Sequence, residues 1–426
     1  MNRRINPVAL VALALVAGLV AGCSGVSIDT VSTDEVAEGE APLTTATPST
    51  SAPTTIATTT TAEATTTTLS PVDQRLAAMS VEDKVGQLLM PVLSGTSASA
   101  PTDAEAATNT ARTGLASMAE IVADYRLGGV VYLGPNIADA GQTTTLSSDL
   151  QTAATGVGLP GLLIAVDQEG GRVARLRDGV TPLPAARTFT PDADAARAAM
   201  TVLADEAAAQ GINVVFAPVA DLVAADENRG VIGDRSFGAD PEVVSSMVVA
   251  AIEGLEASGR VAATVKHWPG HGDTTVDSHN SLPVLEIDEA TWRDRERIPF
   301  AAAVAAEVDL VMVGHLAMPL LDPSGAPATE STVLVAELLR DDLGYDGVVV
   351  SDALDMGAVS DQDPGEVAVA TVVAGVDIVL ASPDLAAARR ALLAAVADGT
   401  ISPTHLDDAV RRILSLKERL GVPLTP

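Results

Sequence analysis

From Val72 onward, short uninterrupted apolar runs alternate with longer segments of helical periodicity. The runs are Val85–Leu93, Gly129–Leu133, Leu162–Asp167, Val214–Asp221, Ala262–His267, Leu310–His315, Val348–Asp352 and Ile378–Ala381. Most are rich in Val, Ile and Leu without polar alternation, the pattern of parallel strands buried on both faces. Helix punctuation falls between them. Asp240-Pro241 opens one segment that closes at Gly259, and Asp363-Pro364 opens another that closes at Gly375. Eight strands in about 350 residues predict an α/β fold, a single (β/α)8 TIM-type barrel with insertions over residues 71–426. A doubly wound open sheet is the rival, but no GxGxxG follows any of the runs.

The N-terminal pattern differs. Arg3 and Arg4 precede an apolar run from Pro7 to Val20, and small residues lead into Cys23, the only cysteine. A charged start, an apolar stretch shorter than the roughly 20 residues of a membrane span, and small residues before a cut site predict a secretory signal over residues 1–22. The placement of Cys23 resembles a bacterial lipobox, which implies lipidation there and an extracytoplasmic protein anchored to the membrane. A plain secretory signal with an incidental cysteine is the alternative. Residues 23–70 are dominated by Thr, Ser, Ala and Pro. Such a segment buries too little apolar surface to offset its ordering entropy, which predicts a disordered stalk.

Composition narrows the function. The 25 basic and 56 acidic residues give a net charge of −31, which argues against a nucleic-acid partner. One cysteine excludes an internal disulfide framework and multi-thiolate zinc sites. Aromatics make up 2% of the chain, too few for extended platforms on which a long polysaccharide would stack.

Polar residues fall where a barrel places chemistry. Asp167, Asp221, Lys266-His267, His315 and Asp352 each end a predicted strand, the barrel face that builds active sites. The densest segment, Lys266 to His279, holds three of the five histidines. His267, His271 and His279 allow a metal reading, although nothing resembles a helical HExxH; histidines satisfied by loop backbone are the plainer reading. A third reading pairs Asp277 with His279. An aspartate bonded to one ring nitrogen fixes the tautomer and frees the other to exchange protons, so His279 becomes a candidate general acid/base.

This segment resembles the signature loop of the β-N-acetylhexosaminidases of glycoside hydrolase family 3, Lys-His-x-Pro-Gly-His-Gly-x-Thr followed by Asp-Ser-His. Three further blocks match in order: Asp167 to Arg175, Gly233 to Gly238, and Ser351 to Met356. The resemblance spans Val72–Pro426 and implies a (β/α)8 barrel with no metal or cofactor. It assigns Asp352 as the nucleophile of a covalent glycosyl intermediate, His279 as acid/base and Asp277 as its orienting partner. Asp167, Arg175, Arg235, Lys266 and His267 would hold the sugar. A pliable Gly270–Gly272 loop is expected to close over it. Relatives often carry two consecutive aspartates where this chain has Asp352-Ala353, and Asp355 is a nearby rival nucleophile. The chain ends at Pro426, soon after a helix around Leu406–Leu420, so the second α/β domain of many members is expected to be missing. Asp221 and His315 receive no role.

The expected activity is removal of terminal β-linked N-acetylglucosamine with retention of configuration. Given the membrane anchor, peptidoglycan-derived fragments are the expected substrate. Phosphorolysis, another family 3 β-glycosidase specificity, and a non-catalytic sugar-binding lipoprotein are the alternatives.

Overall fold

The computed structural model describes residues 69–223 and 231–424. The expected signal, Cys23 and nearly all of the stalk lie outside the described residues. The first helix begins at Pro71, with the Ser70 side chain accepting from Asp73 N–H.

The fold is α/β, a curled parallel sheet with helices packed around it. The ten strands among the described residues are β1 (Leu89–Met90), β2 (Gly129–Tyr132), β3 (Leu163–Val166), β4 (Gln168–Gly170), β5 (Val173–Ala174), β6 (Val214–Val215), β7 (Ala262–Trp268), β8 (Leu310–Val313), β9 (Val348–Ser351) and β10 (Val379–Leu380). Six form a parallel ladder in the order β2-β3-β6-β7-β8-β9, and β1 pairs in parallel with β10. Hydrogen bonds from Ile378 N–H to Val349 O (3.0 Å) and from Val131 N–H to Pro91 O (3.2 Å) continue this pairing at both edges of the ladder. Every residue of β2, β3, β8 and β9 is buried, as their unbroken apolar runs predict.

Helix ends follow local chemistry. Asp240 caps the helix Pro241–Glu256 and Asp363 caps Pro364–Ala374, each followed by proline at the first helical position. Gly375 ends the second helix with φ of 110°, a conformation that glycine adopts without a Cβ penalty.

Several predicted strands shorten. In Val85–Leu93 the first half is helix, because Ser80 and Asp83 form a reciprocal capping box that starts Val81–Gln87, and only Leu89–Met90 pair as strand. Val214–Asp221 pairs as a ladder only at Val214–Val215, the chain beyond passing through Pro218, which has no N–H to donate. The antiparallel hairpin β4–β5 after Asp167 was not expected.

The helix Pro403–Arg419 buries Lys417 completely, its Nζ donating to Gln87 Oε1 at 2.6 Å. Burial and the nearby charge of Arg75 depress this ammonium to about 7. Between that value and the usual lysine value of about 10.4, the unfolded chain binds a proton that the folded chain releases, so stability climbs with pH across the window. Lys417→Met is therefore expected to be more stable than wild type at pH 7, by about 2–4 kcal/mol, with the gap closing towards pH 10. Urea unfolding of both proteins across that range measures it; a gap independent of pH would contradict the account.

Candidate active site

β3 delivers Asp167 as it ends, and the β4–β5 hairpin then turns Glu169 inward and carries the chain on to Arg175. Gln168 ties the hairpin together, its Oε1 accepting from Arg175 N–H (2.7 Å) and Leu176 N–H (2.9 Å). Near the end of β7, Lys266 is 2% exposed. Its Nζ reaches Asp167 Oδ1 at 2.9 Å and Glu169 Oε1 at 2.7 Å. Arg235, on a single 3-10 turn at Gly233–Arg235, adds a two-pronged grip on Glu169, Nε to Oε2 at 2.7 Å and Nη2 to Oε1 at 2.8 Å. Arg175 Nη2 stands 3.9 Å from Asp167 Oδ2, while its buried Nε has no hydrogen-bond partner among the described residues.

Charges buried this deeply persist only when paired. Burial alone would raise the Glu169 carboxyl; the Lys266 and Arg235 cations outweigh it and hold the group at about 2. Burial likewise opposes the charge on Lys266, but Asp167 and Glu169 raise its pKa above the ordinary value.

His267 points Nδ1 at Asp221 Oδ2 (2.7 Å) and Nε2 at Arg235 Nη2 (3.3 Å), so Nδ1–H donates to the aspartate and Nε2 accepts. Asp221 also accepts from the backbone N–H of His267 (3.2 Å) and of His271 (2.7 Å). The carboxylate left without a role by the sequence is thus a hub under the Lys266–His271 turn. His315, fully buried, bonds Thr329 Oγ1 at 2.9 Å and the carbonyl of Ala353 at 3.0 Å, steadying the chain just after Asp352.

Asp352 follows β9 directly, its N–H donating to Val313 O at 2.8 Å and its Oδ1 accepting from Ala353 N–H at 2.8 Å. Burial raises its pKa, yet the opposing pull of His267, His315, the Ala353 N–H and Lys266 leaves it below the usual carboxylate value. Asp355, by contrast, is raised by burial.

His279 Nδ1 lies 2.8 Å from Asp277 Oδ1, which also accepts the His279 N–H at 2.9 Å. The imidazole is 66% exposed, far more open than the buried Lys266 and Glu169. Behind it, buried His271 bonds Thr274 Oγ1 (2.6 Å) and Ser278 Oγ (3.1 Å). The three histidines that a metal reading groups together are each engaged with other partners. Gly272, expected to be part of a pliable loop, is packed so closely that a Cβ would stand 1.8 Å from Leu222 O, so this turn is held against its neighbour.

A cavity of 260 Å³ gathers Asp167, Arg175, Arg235, Lys266, His267, His279 and Asp352, with Asp355 at the same wall. Asp277 stands behind His279. A larger cleft of 880 Å³, between the helix Pro403–Arg419 and the loops leading into β8 and β9, contains none of them. Glu169 and Ser278 line the 260 Å³ cavity but were not singled out from the sequence, and His271, which also lines it, was considered there only as a metal ligand. Glu169 had one available signal, its place in the Asp167–Arg175 block.

The model of the glycosyl hydrolase family 3 N terminal domain matches residues 80–416. The β-hexosaminidase A of Pseudoalteromonas piscicida is 36% identical over 334 residues, 71% of this chain and 55% of that protein. This chain thus spans about half the length of that relative. A family 3 β-N-acetylglucosaminidase from Paenibacillus sp. FPU-7 superposes with a TM-score of 0.73 at 39% identity, covering 81% of this chain and 63% of that one. A β-N-acetylhexosaminidase from Beutenbergia cavernae superposes at 0.69 with 34% identity, covering 80% of this chain and 99% of that one.

Because Glu169 is ionised far below the ordinary carboxylate value, its contribution is complete above about pH 4.5 and is lost as the pH falls towards 2. Glu169→Gln is expected to cost about 3 kcal/mol at pH 7, a deficit that narrows below pH 4.5. Denaturant unfolding of both proteins between pH 7 and 3 checks this, and equal stabilities at pH 7 would refute it.

Proposed function

The chain belongs to glycosyl hydrolase family 3, and from that premise we propose that it is a retaining exo-β-N-acetylglucosaminidase. The observation that carries this reading is the single cavity lined by ionised Asp352 and by His279, the latter backed by Asp277 at 2.8 Å. Its likeness to two solved enzymes, one named a β-N-acetylglucosaminidase and the other a β-N-acetylhexosaminidase, supports the sugar specificity. We also read the curled sheet as a closed (β/α)8 barrel, supported by the bonds of Val379 N–H to Leu88 O and Ala381 N–H to Met90 O beside the six-stranded ladder.

In this mechanism a terminal sugar enters the cavity non-reducing end first. Asp167, Lys266, Arg235, Arg175 and His267, all of which line the cavity, hold its hydroxyls and acetamido group. The Asp352 carboxylate attacks the anomeric carbon. The bond to the leaving oxygen breaks as His279 Nε2–H protonates that oxygen, leaving a glycosyl ester on Asp352. His279 then takes a proton from water, which attacks the same carbon and releases Asp352. Two inversions give net retention, with histidine standing where most glycosidases use a second carboxyl.

The modest cavity and the scarcity of aromatics favour short fragments. The signal pattern ending at Cys23 supports a membrane-anchored, extracytoplasmic enzyme, and GlcNAc–MurNAc fragments of peptidoglycan are the proposed substrate. Release of the aryl group from an aryl β-N-acetylglucosaminide, compared in phosphate and non-phosphate buffers, tests the activity and separates hydrolysis from phosphorolysis. No release by folded protein in either buffer would reject the reading.

His279→Ala should slow turnover of substrates with poor leaving groups by about 10²–10⁴-fold and of activated aryl glycosides much less. Asp352→Ala should abolish both rates, whereas a retained rate would move the nucleophile to Asp355.

A further inference from the structure

The loop bearing His279 does not stand alone. Gly357 N–H donates to His279 O at 3.1 Å, and Ala358 N–H donates to Ser278 O at 3.0 Å. The segment that supplies these donors is the one that begins at Asp352. It is tied down along its length: Asp352 N–H to Val313 O (2.8 Å), Leu354 N–H to Leu380 O (3.0 Å), and Ala353 O to His315 Nε2 (3.0 Å). Five residues after the proposed nucleophile, a strand-anchored segment thus grips the backbone of the proposed acid/base.

The approach at this point is closer than any side chain permits. A Cβ on Gly357 would lie 2.6 Å from His279 O and 2.7 Å from the carbonyl carbon and oxygen of Asn280, all backbone atoms that cannot swing aside. The Asp277–His279 bond orients the imidazole within its own loop, whereas the Gly357 contact sets where that loop stands relative to Asp352.

We propose that Gly357 is a positioning residue, a latch that places the His279 loop over the anomeric carbon held by Asp352. This deepens the glycosidase reading and rests on it. Proton transfer to a leaving oxygen demands hydrogen-bond reach, and a displacement of about 1 Å can cost about 10²-fold. The latch therefore matters for substrates that need the proton, with little influence on those that do not.

The test measures kcat/KM on aryl β-N-acetylglucosaminides of graded leaving-group acidity, for wild type, Gly357→Ala, His279→Ala and the double variant. Gly357→Ala is expected to lose about 10–100-fold on the poorest leaving group and under about threefold on the most activated. In the His279→Ala background it should cost nothing further, because the group it positions is gone. Ala358→Pro, which removes the second hydrogen bond without adding bulk at 357, replaces Gly357→Ala if that variant melts early. Wild-type rates in the latch variant, or an equal loss with and without His279, would overturn the latch while leaving the glycosidase reading intact. A His279→Ala loss that is uniform across leaving groups would instead overturn the acid/base reading, and the latch with it.

Discussion

A lysine sealed inside a protein holds its proton firmly only when negative charge meets it, and Lys266 is met twice, by Asp167 and by Glu169. This requirement organises the site. Glu169 can neutralise Lys266 only if the hairpin after β3 folds back over the strand ends, and it is itself tolerated because Lys266 pairs with it and Arg235 grips both its oxygens. Three separate chain segments are thereby drawn to one point. His267, His315, the Ala353 N–H and, from this network, Lys266 together keep Asp352 ionised despite burial. Removing any one member would leave a buried charge uncompensated, which is far costlier than never having buried it.

The two halves of the site are built differently. Asp352 and most of the proposed sugar-binding groups sit at strand ends or on the hairpin, and Arg235, on its 3-10 turn, is tied to them through Glu169. His279 is mostly exposed on a loop, with Asp221 anchoring its entrance through His271 N–H and Gly357 holding its far side. A nucleophile must sit at fixed distance from a bound carbon, and rigid strands supply that. A group that protonates a departing oxygen and then activates water must face solvent, which a loop allows.

Much of this was legible in the chain itself. The buried strands β2, β3, β8 and β9 were visible as apolar runs, because burial on both faces removes polar alternation. The helix within Val85–Leu93 was not, since a short apolar run has no period by which to tell strand from helix. Asp167, Lys266, His267 and Asp352 could be picked out as polar residues at strand ends. The cavity collects all four, while their roles are carried by the family resemblance. Asp221 and His315 stood in the same positions, but their partners, His267 and Ala353, are 46 and 38 residues away and no local pattern joins them. Gly357 was invisible for the same reason: only the folded backbone shows what its missing Cβ avoids.

The account turns on Asp352 forming the covalent bond. The direct measurement is to trap the enzyme with a slowly hydrolysed fluorinated aryl glycoside of N-acetylglucosamine and sequence the labelled peptide by mass spectrometry. The account predicts one added glycosyl mass, located on Asp352. A label on Asp355 or Asp167, or turnover that yields a product of inverted anomeric configuration, would contradict it.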